Sequence, residues 1–169
     1  MTGYRLRRWT DADLPLLIAA NAPEMTAHLG GPETEARVRR RHEQYIRGWD
    51  AGMPRMYSIR DDAGVGVGGI GWWVSEWDGR ACYEAGWNVL PAFQRRGAAS
   101  AALRLLVVDA RAHRDVSGAA APLLMACPNV DNDASNALCR TAGFTRVGVI
   151  EEEYRGVDMT LNVWTCPLD

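Results

Sequence analysis

Lysine is absent: all 19 basic residues are arginine, and 21 acidic residues outnumber them for a net charge of -2. A chain without a net basic field lacks the electrostatic footprint with which proteins hold nucleic acid, which excludes nucleic acid as the main partner. Cysteine is sparse. Cys82, Cys127, Cys139 and Cys166 fall at wide intervals, with no CxxC pair and no histidine spaced to complete a metal site, so a zinc module is excluded and no metal is expected. No apolar run approaches the roughly 20 residues of a membrane helix, and no membrane partner is expected. Arg7-Arg8 and the apolar run Leu14 to Ala20 imitate an export signal, but Asp11 and Asp13 interrupt it, and a strand followed by a helix explains it better. The expected compartment is the cytoplasm. Repeats, linkers and composition breaks are also missing. With 47% hydrophobic and 24% charged residues, the chain belongs to neither a disordered nor a membrane class. Its 169 residues fit one domain, 1–169, with one core.

What is present is an ordered series of strand and helix signals. Tyr4 to Trp9 alternate as a strand, and Thr10 with Asp13 forms a loose cap for a helix to about Ala20. After the break at Gly30-Gly31-Pro32, a helix is predicted from Glu33 to about Trp49, with Arg37 to Arg41 as a solvated face and a substrate role as the alternative. Met56 to Arg60, Val65 to Val74 and Ala81 to Leu90 read as an antiparallel meander, joined by turns at Asp61 to Gly64 and at Asp78-Gly79. A helix from Gly97 to Ala112, a loop through Gly118 and a buried strand Leu123 to Cys127 follow. A last helix, Asp133 to Ala142, stops at Gly143, and strands Thr145 to Ile150 and Asp158 to Cys166 flank an acidic loop, EEEYRGVD. The class is α/β.

Gly66, Gly68 and Gly71 match GxGxxG, the dinucleotide-binding fingerprint. The context refuses it, because Trp72-Trp73-Val74 and a hairpin turn follow where a helix is required. These glycines are expected to allow a bend or a close backbone approach inside a strand. Trp72 and Trp73 point to opposite faces of that strand, so one of them is free to line a pocket.

The stretch that carries chemistry is Gln94 to Ser100 (QRRGAAS), where a strand ends near Pro91 and returns as a helix. The first amides of a helix lack internal partners and sit at the positive end of its dipole, so they suit a pyrophosphate. Gly97 lets backbone approach phosphate, Ala98 and Ala99 keep side chains out of the way, and Arg95 and Arg96 add charge. Further on, Asn132-Asp133-Ala134-Ser135 opens a helix with Asn132 as N-cap, and Gly143-Phe144 follows it.

Together these segments resemble the GNAT superfamily of N-acetyltransferases: a strand, [Q/R]xxGx[G/A], a strand, then NxxS with GF after the next helix. The tryptophan-rich third strand, Tyr83-Glu84-Ala85-Gly86-Trp87 and NxxSNALCRTAGF look like the branch of ribosomal-protein N-terminal and antibiotic-modifying enzymes. The resemblance implies a single-domain fold with a mixed, mostly antiparallel central sheet of about seven strands flanked by about four helices. It implies acetyl-CoA as acyl donor, with the pantetheine arm lying beside the fourth strand as an added strand. Backbone contacts then fall to Asn88, Val89 and Leu90, pyrophosphate contacts to Arg95, Arg96, Gly97, Ala98, Ala99 and Ser100, with Gln94 opening the loop. Asn132 and Ser135 would flank the cofactor, and an amide near Val89 would stabilise the developing oxyanion. The implied acceptor is a primary amine of a small molecule or a peptide N-terminus; a homodimer is left open.

Direct attack needs a neutral amine. At neutral pH, deprotonating a lysine-like amine costs about 4–5 kcal/mol and an α-amine about 1–1.5 kcal/mol. Glu84, on the strand lining the thioester, is the first candidate base, with Glu33, Glu151, Glu152, Glu153 and His28 behind it. Cys139 stands where many relatives carry the tyrosine that protonates the leaving thiolate, and it reads as a packing residue. Tyr154 and Ser135 are the alternative acids. A non-catalytic acyl-CoA-binding domain and a purely structural protein are the competing readings.

Overall fold

The computed structural model describes residues 3–115 and 123–169; the predicted loop through Gly118 lies outside the described residues. One sheet runs through the molecule, built from β1 (Arg5–Arg8), β2 (Arg55–Arg60), β3 (Gly66–Trp77), β4 (Arg80–Val89), β5 (Leu123–Ala126), β6 (Thr145–Tyr154) and β7 (Val157–Pro167). The strand order is β1-β2-β3-β4-β5-β7-β6, and only the β4–β5 pair is parallel. The helices are α1 (Leu14–Ala19), α2 (Pro23–Thr26), α3 (Glu35–Ala51), α4 (Ala98–Ala112) and α5 (Asp133–Thr141). The single α/β domain with a mixed, mostly antiparallel seven-stranded sheet is as expected, with five helices where about four were expected. The extra one, α2, is a single turn begun by Pro23 and too short to leave a periodic signal.

Helices cover both faces. On one, α4 turns Ala102, Leu103, Leu106 and Ala110 onto Ile59, Val67, Ile70 and Tyr83, and each large side chain buried there stabilises by about 1.5–3 kcal/mol. Trp72 belongs to this face and is fully buried, its Nε1 donating to Asp109 Oδ2 at 2.7 Å. On the other, α1 and α3 pack Leu17 and Val38 around Trp9 and Met56, and Trp73 lies partly exposed against them. Among the described residues no helix is long and apolar enough to cross a membrane.

Of the glycines in the refused fingerprint, Gly68 and Gly71 lie against neighbouring backbone and Gly66 against the Leu16 side chain. A Cβ on Gly68 would meet Asn88 O at 2.1 Å, so β3 and β4 can lie this close only without a side chain there.

One expectation is corrected. EEEYRGVD is not a loop: Glu151 to Tyr154 continue β6, paired with Thr160 to Val157 of β7. Arg155 (φ 56) and Gly156 (φ 76) form the two-residue turn, the positive-φ geometry that matches strand twist. The acidic run imitates a loop because β6 is an edge strand with most of its side chains in water. The hairpin reaches past the sheet, and Val157 sits where a Cβ on Gly30 would touch it.

Candidate active site

The site begins where two strands part. β4 and β5 pair only at Tyr83↔Leu124 and Glu84↔Met125. Beyond Glu84, the chain after β5 follows β7 instead: Asn162 N donates to Pro128 O at 2.9 Å and Val130 N to Thr160 O at 3.0 Å. Asn136 locks this departure. Its Nδ2 donates to Asn129 O and Asn132 O, both at 2.9 Å, and its Oδ1 accepts from Asn162 Nδ2 and Trp164 Nε1. On the other side, Leu90 N donates to Val67 O, and Leu90 O accepts from Phe93 N. Both main-chain groups of Leu90 are therefore spent inside the protein, contrary to the cofactor contact expected of it. By antiparallel alternation, the N–H groups of Val89 and Trp87 face away from β3 into the gap, while the main-chain groups of Asn88 face β3, contrary to the backbone contact expected of it.

A cavity of about 500 Å³ fills the wedge, with Glu84, Trp87 and Asn88 on one wall and Cys127, Asn132 and Ser135 on the other. The Asn88 side chain folds back to accept from Gly69 N at 3.2 Å. Asn132 caps α5, its Oδ1 accepting from Ser135 N at 3.1 Å, while no protein group among the described residues bonds the Ser135 hydroxyl.

From Gln94 to Gly97 the turn is exposed, Ala98 is buried against the main core, and the whole segment lies outside the cavity lining. Gln94 Nε2 donates to Val89 O at 2.8 Å, and Tyr4 Oη donates to Arg96 O at 3.3 Å, which ties the turn to β4 and to the N-terminal strand. Arg95 (φ 60) and Gly97 (φ 83) adopt left-handed backbone, a geometry that turns successive N–H groups toward one concavity. None of the amides from Arg95 to Ser100 has an acceptor among the described residues. A row of unmet donors at a helix start fits a diphosphate.

Glu84 occupies the last paired rung, half-buried, with Ser75 Oγ donating to its Oε2 at 3.0 Å. Burial pushes its carboxyl above the usual range and Glu152 adds to this, while bonds from Ser75 and Trp73 pull it down.

The profile of the acetyltransferase (GNAT) domain family matches residues 4–145. The chain belongs to the GNAT family. It is accordingly an acetyltransferase, and the non-catalytic reading is not favoured. Among solved structures, the chain is similar to the ribosomal L7/L12 alpha-N-protein acetyltransferase RimL in complex with coenzyme A (TM-score 0.78, 20% identity, covering 98% of this chain and 94% of that one). It is also similar to spermidine N-acetyltransferase from Vibrio cholerae with coenzyme A and spermine (0.76, 16% identity, 98% and 95%). A third is the microcin C7 self-immunity acetyltransferase MccE with acetyl-CoA and AMP (0.76, 17% identity, 98% and 92%). A comparison with curated proteins finds no match.

Within this GNAT fold the candidate acids separate. Cys139 is fully buried in the main core and absent from the cavity, its thiol pushed up to about 12 by burial. It packs. Ser135 and Tyr154 both line the cavity, but Tyr154 lies at its far end, where Arg155 Nη2 donates to its hydroxyl at 2.8 Å. Glu33 is taken by two guanidiniums, pairing with Arg41 and with Arg155 Nη2 at 3.1 Å. That leaves it poorly suited to accept a proton. Glu152 and His28 line the cavity; Glu151 and Glu153 do not.

Three participants escaped the sequence reading. Arg155 was hidden in a presumed loop, Arg41 in a presumed solvated face, and Asn136 inside a motif whose first and fourth residues drew the attention. Asn136 alone left a usable signal, an amide on the inner face of a short helix among apolar neighbours.

Proposed function

We propose that the protein is an acetyl-CoA-dependent N-acetyltransferase that passes the acetyl group directly to the primary amine of a small molecule or a peptide N-terminus. The observation that carries this is the parting of β4 and β5 at Glu84, which puts an unpaired strand edge, a half-buried carboxylate and a row of free amides along one path. Coenzyme A supplies an acyl thioester and a diphosphate. Trp87 and Val89 offer main-chain groups to a strand-like pantetheine, and Arg95 to Ser100 offer amides to the diphosphate. The Val89 N–H, which faces away from β3, stabilises the developing oxyanion in this reading.

Glu84 takes the proton from the attacking nitrogen, directly or through water, as the new C–N bond forms and the C–S bond breaks. Ser135 passes its hydroxyl proton to the leaving thiolate and regains one from protonated Glu84 through water, with Tyr154 second because its hydroxyl already accepts from Arg155 Nη2. Direct attack is favoured over a cysteine-bound acyl group. Cys127 lines the cavity, but burial first, then Glu84 and Glu152, push its thiol up to about 12, so thiolate is scarce at neutral pH. The same reading places the enzyme in the cytoplasm, as a monomer or a homodimer.

The test is thiol release from acetyl-CoA across a panel of amines. Release well above background with at least one acceptor class is expected. Saturable acetyl-CoA binding with no release for any amine would return the binding-module reading, and no binding at all the structural one.

A further inference from the structure

The cavity is electrically two-ended. Near the strand parting stand Glu84 and Glu152; at the other end Arg41 and Arg155 converge with Glu33, Tyr45 and Tyr154. Among the described residues Glu33 is the one carboxylate paired with Arg41 and Arg155, so two guanidiniums share one negative charge and a positive charge is left over. Arg37 is near enough to press further on Arg155, and His28 stands on the same wall, which adds nothing negative.

Arg155 is held there at some expense. Its backbone is left-handed (φ 56), its side chain is only 13% exposed, and its Nη1, like Glu33 Oε2, is buried with no hydrogen-bond partner among the described residues. A guanidinium has five donors in a fixed fork that suits a carboxylate, and buried donors of native proteins are ordinarily met. Burial first, and then the charges of Arg41 and Arg37, hold its pKa below the ordinary arginine value, while the Tyr154 hydroxyl raises it. Arg41 is more open to the cavity, at 27% exposure.

We infer that the acceptor is a zwitterionic, amino-acid-like amine whose carboxylate is held by Arg41 and Arg155 while its amine is presented to Glu84. This rests on the N-acetyltransferase reading above. Leu17, Met25, Trp73 and Met159 give the rest of the wall an apolar character, so the pocket accommodates an apolar or aromatic side chain between the two charged ends. A polyamine is opposed, since its distal ammonium would meet guanidinium.

The experiment compares kcat/KM for free amino acids, the matching amino-acid amides and spermidine. The carboxylate makes its neighbouring amine more basic, and so less often neutral; a preference for the acid therefore cannot come from amine reactivity. The acid is expected to be preferred by about tenfold or more, the scale of a charged hydrogen bond. Arg155→Gln and Arg41→Gln are each expected to erase most of that preference while the KM for acetyl-CoA stays put. Preference for the amide or for spermidine, or an acid preference unchanged in both folded variants, would overturn the inference. Should no amine turn over, the transferase reading fails and the anion site is read by equilibrium binding of an amino acid and its amide to protein saturated with coenzyme A. Equal affinity for the two overturns it; tighter binding of the acid, lost in Arg41→Gln, upholds it.

Discussion

A Gly97→Glu variant is expected to lose coenzyme A binding by a factor of about a thousand or more while remaining folded. Two effects operate. Gly97 sits at φ 83, where a residue with a Cβ is strained by roughly 1–2 kcal/mol. The larger effect is electrostatic: a carboxylate within about 4 Å of a phosphate is opposed by about 4 kcal/mol at the effective dielectric of a protein surface. At 1.4 kcal/mol per factor of ten the electrostatic effect alone is about three decades in affinity, while the strain falls on folding stability. Gly97→Ala separates the terms, because a Cβ there meets nothing within 4 Å and leaves only the backbone strain. Calorimetric titration with coenzyme A, alongside a melting curve, reads both variants. Native melting with unchanged affinity in Gly97→Glu would remove the diphosphate from this turn.

Glu84→Gln is expected to lower kcat by about 10²–10³ for strongly basic amines, the usual range for a positioned base, with coenzyme A affinity changed less than twofold. The amide is nearly isosteric and can still accept from Ser75 Oγ, so the fold should be unaffected. The pH profile adds a sharper signature. Glu84 must be ionised to accept a proton, and its carboxyl is held above the ordinary range by burial. The wild-type rate should therefore climb with pH through a value above that of a free glutamate, and this limb should vanish in the variant. Weakly basic α-amines, more often neutral already, should lose less. Full activity with an unaltered profile would dismiss Glu84.

The parts of this account that were legible in the sequence are local ones. Asp78-Gly79 marked a hairpin because it can adopt positive φ, as it does, at 51 and 69. Asn132 announced a helix because its side chain replaces a missing backbone partner, and Gly97 with small neighbours announced a helix start with open amides. What stayed hidden depends on residues far apart in the chain. The wedge exists because Pro128, Asn129 and Val130 choose β7 over β4, a competition that no window of sequence contains. Arg155 reads as part of a charged loop until the β6–β7 hairpin carries it across to Glu33. Leu90 was expected to face the cofactor by position alone, yet pairing parity hands its amide to Val67 and leaves Val89 to face the gap.

The central claim is that the free edge of β4 and the amides after Gln94 form one continuous grip on the acyl donor. Backbone hydrogen exchange, followed residue by residue with and without acetyl-CoA, tests it most directly. Slowed exchange at Trp87, Val89 and Arg95 to Ser100, with the amides of α3 unaltered, is the predicted result. Unchanged exchange at those amides in protein saturated with acetyl-CoA would contradict it.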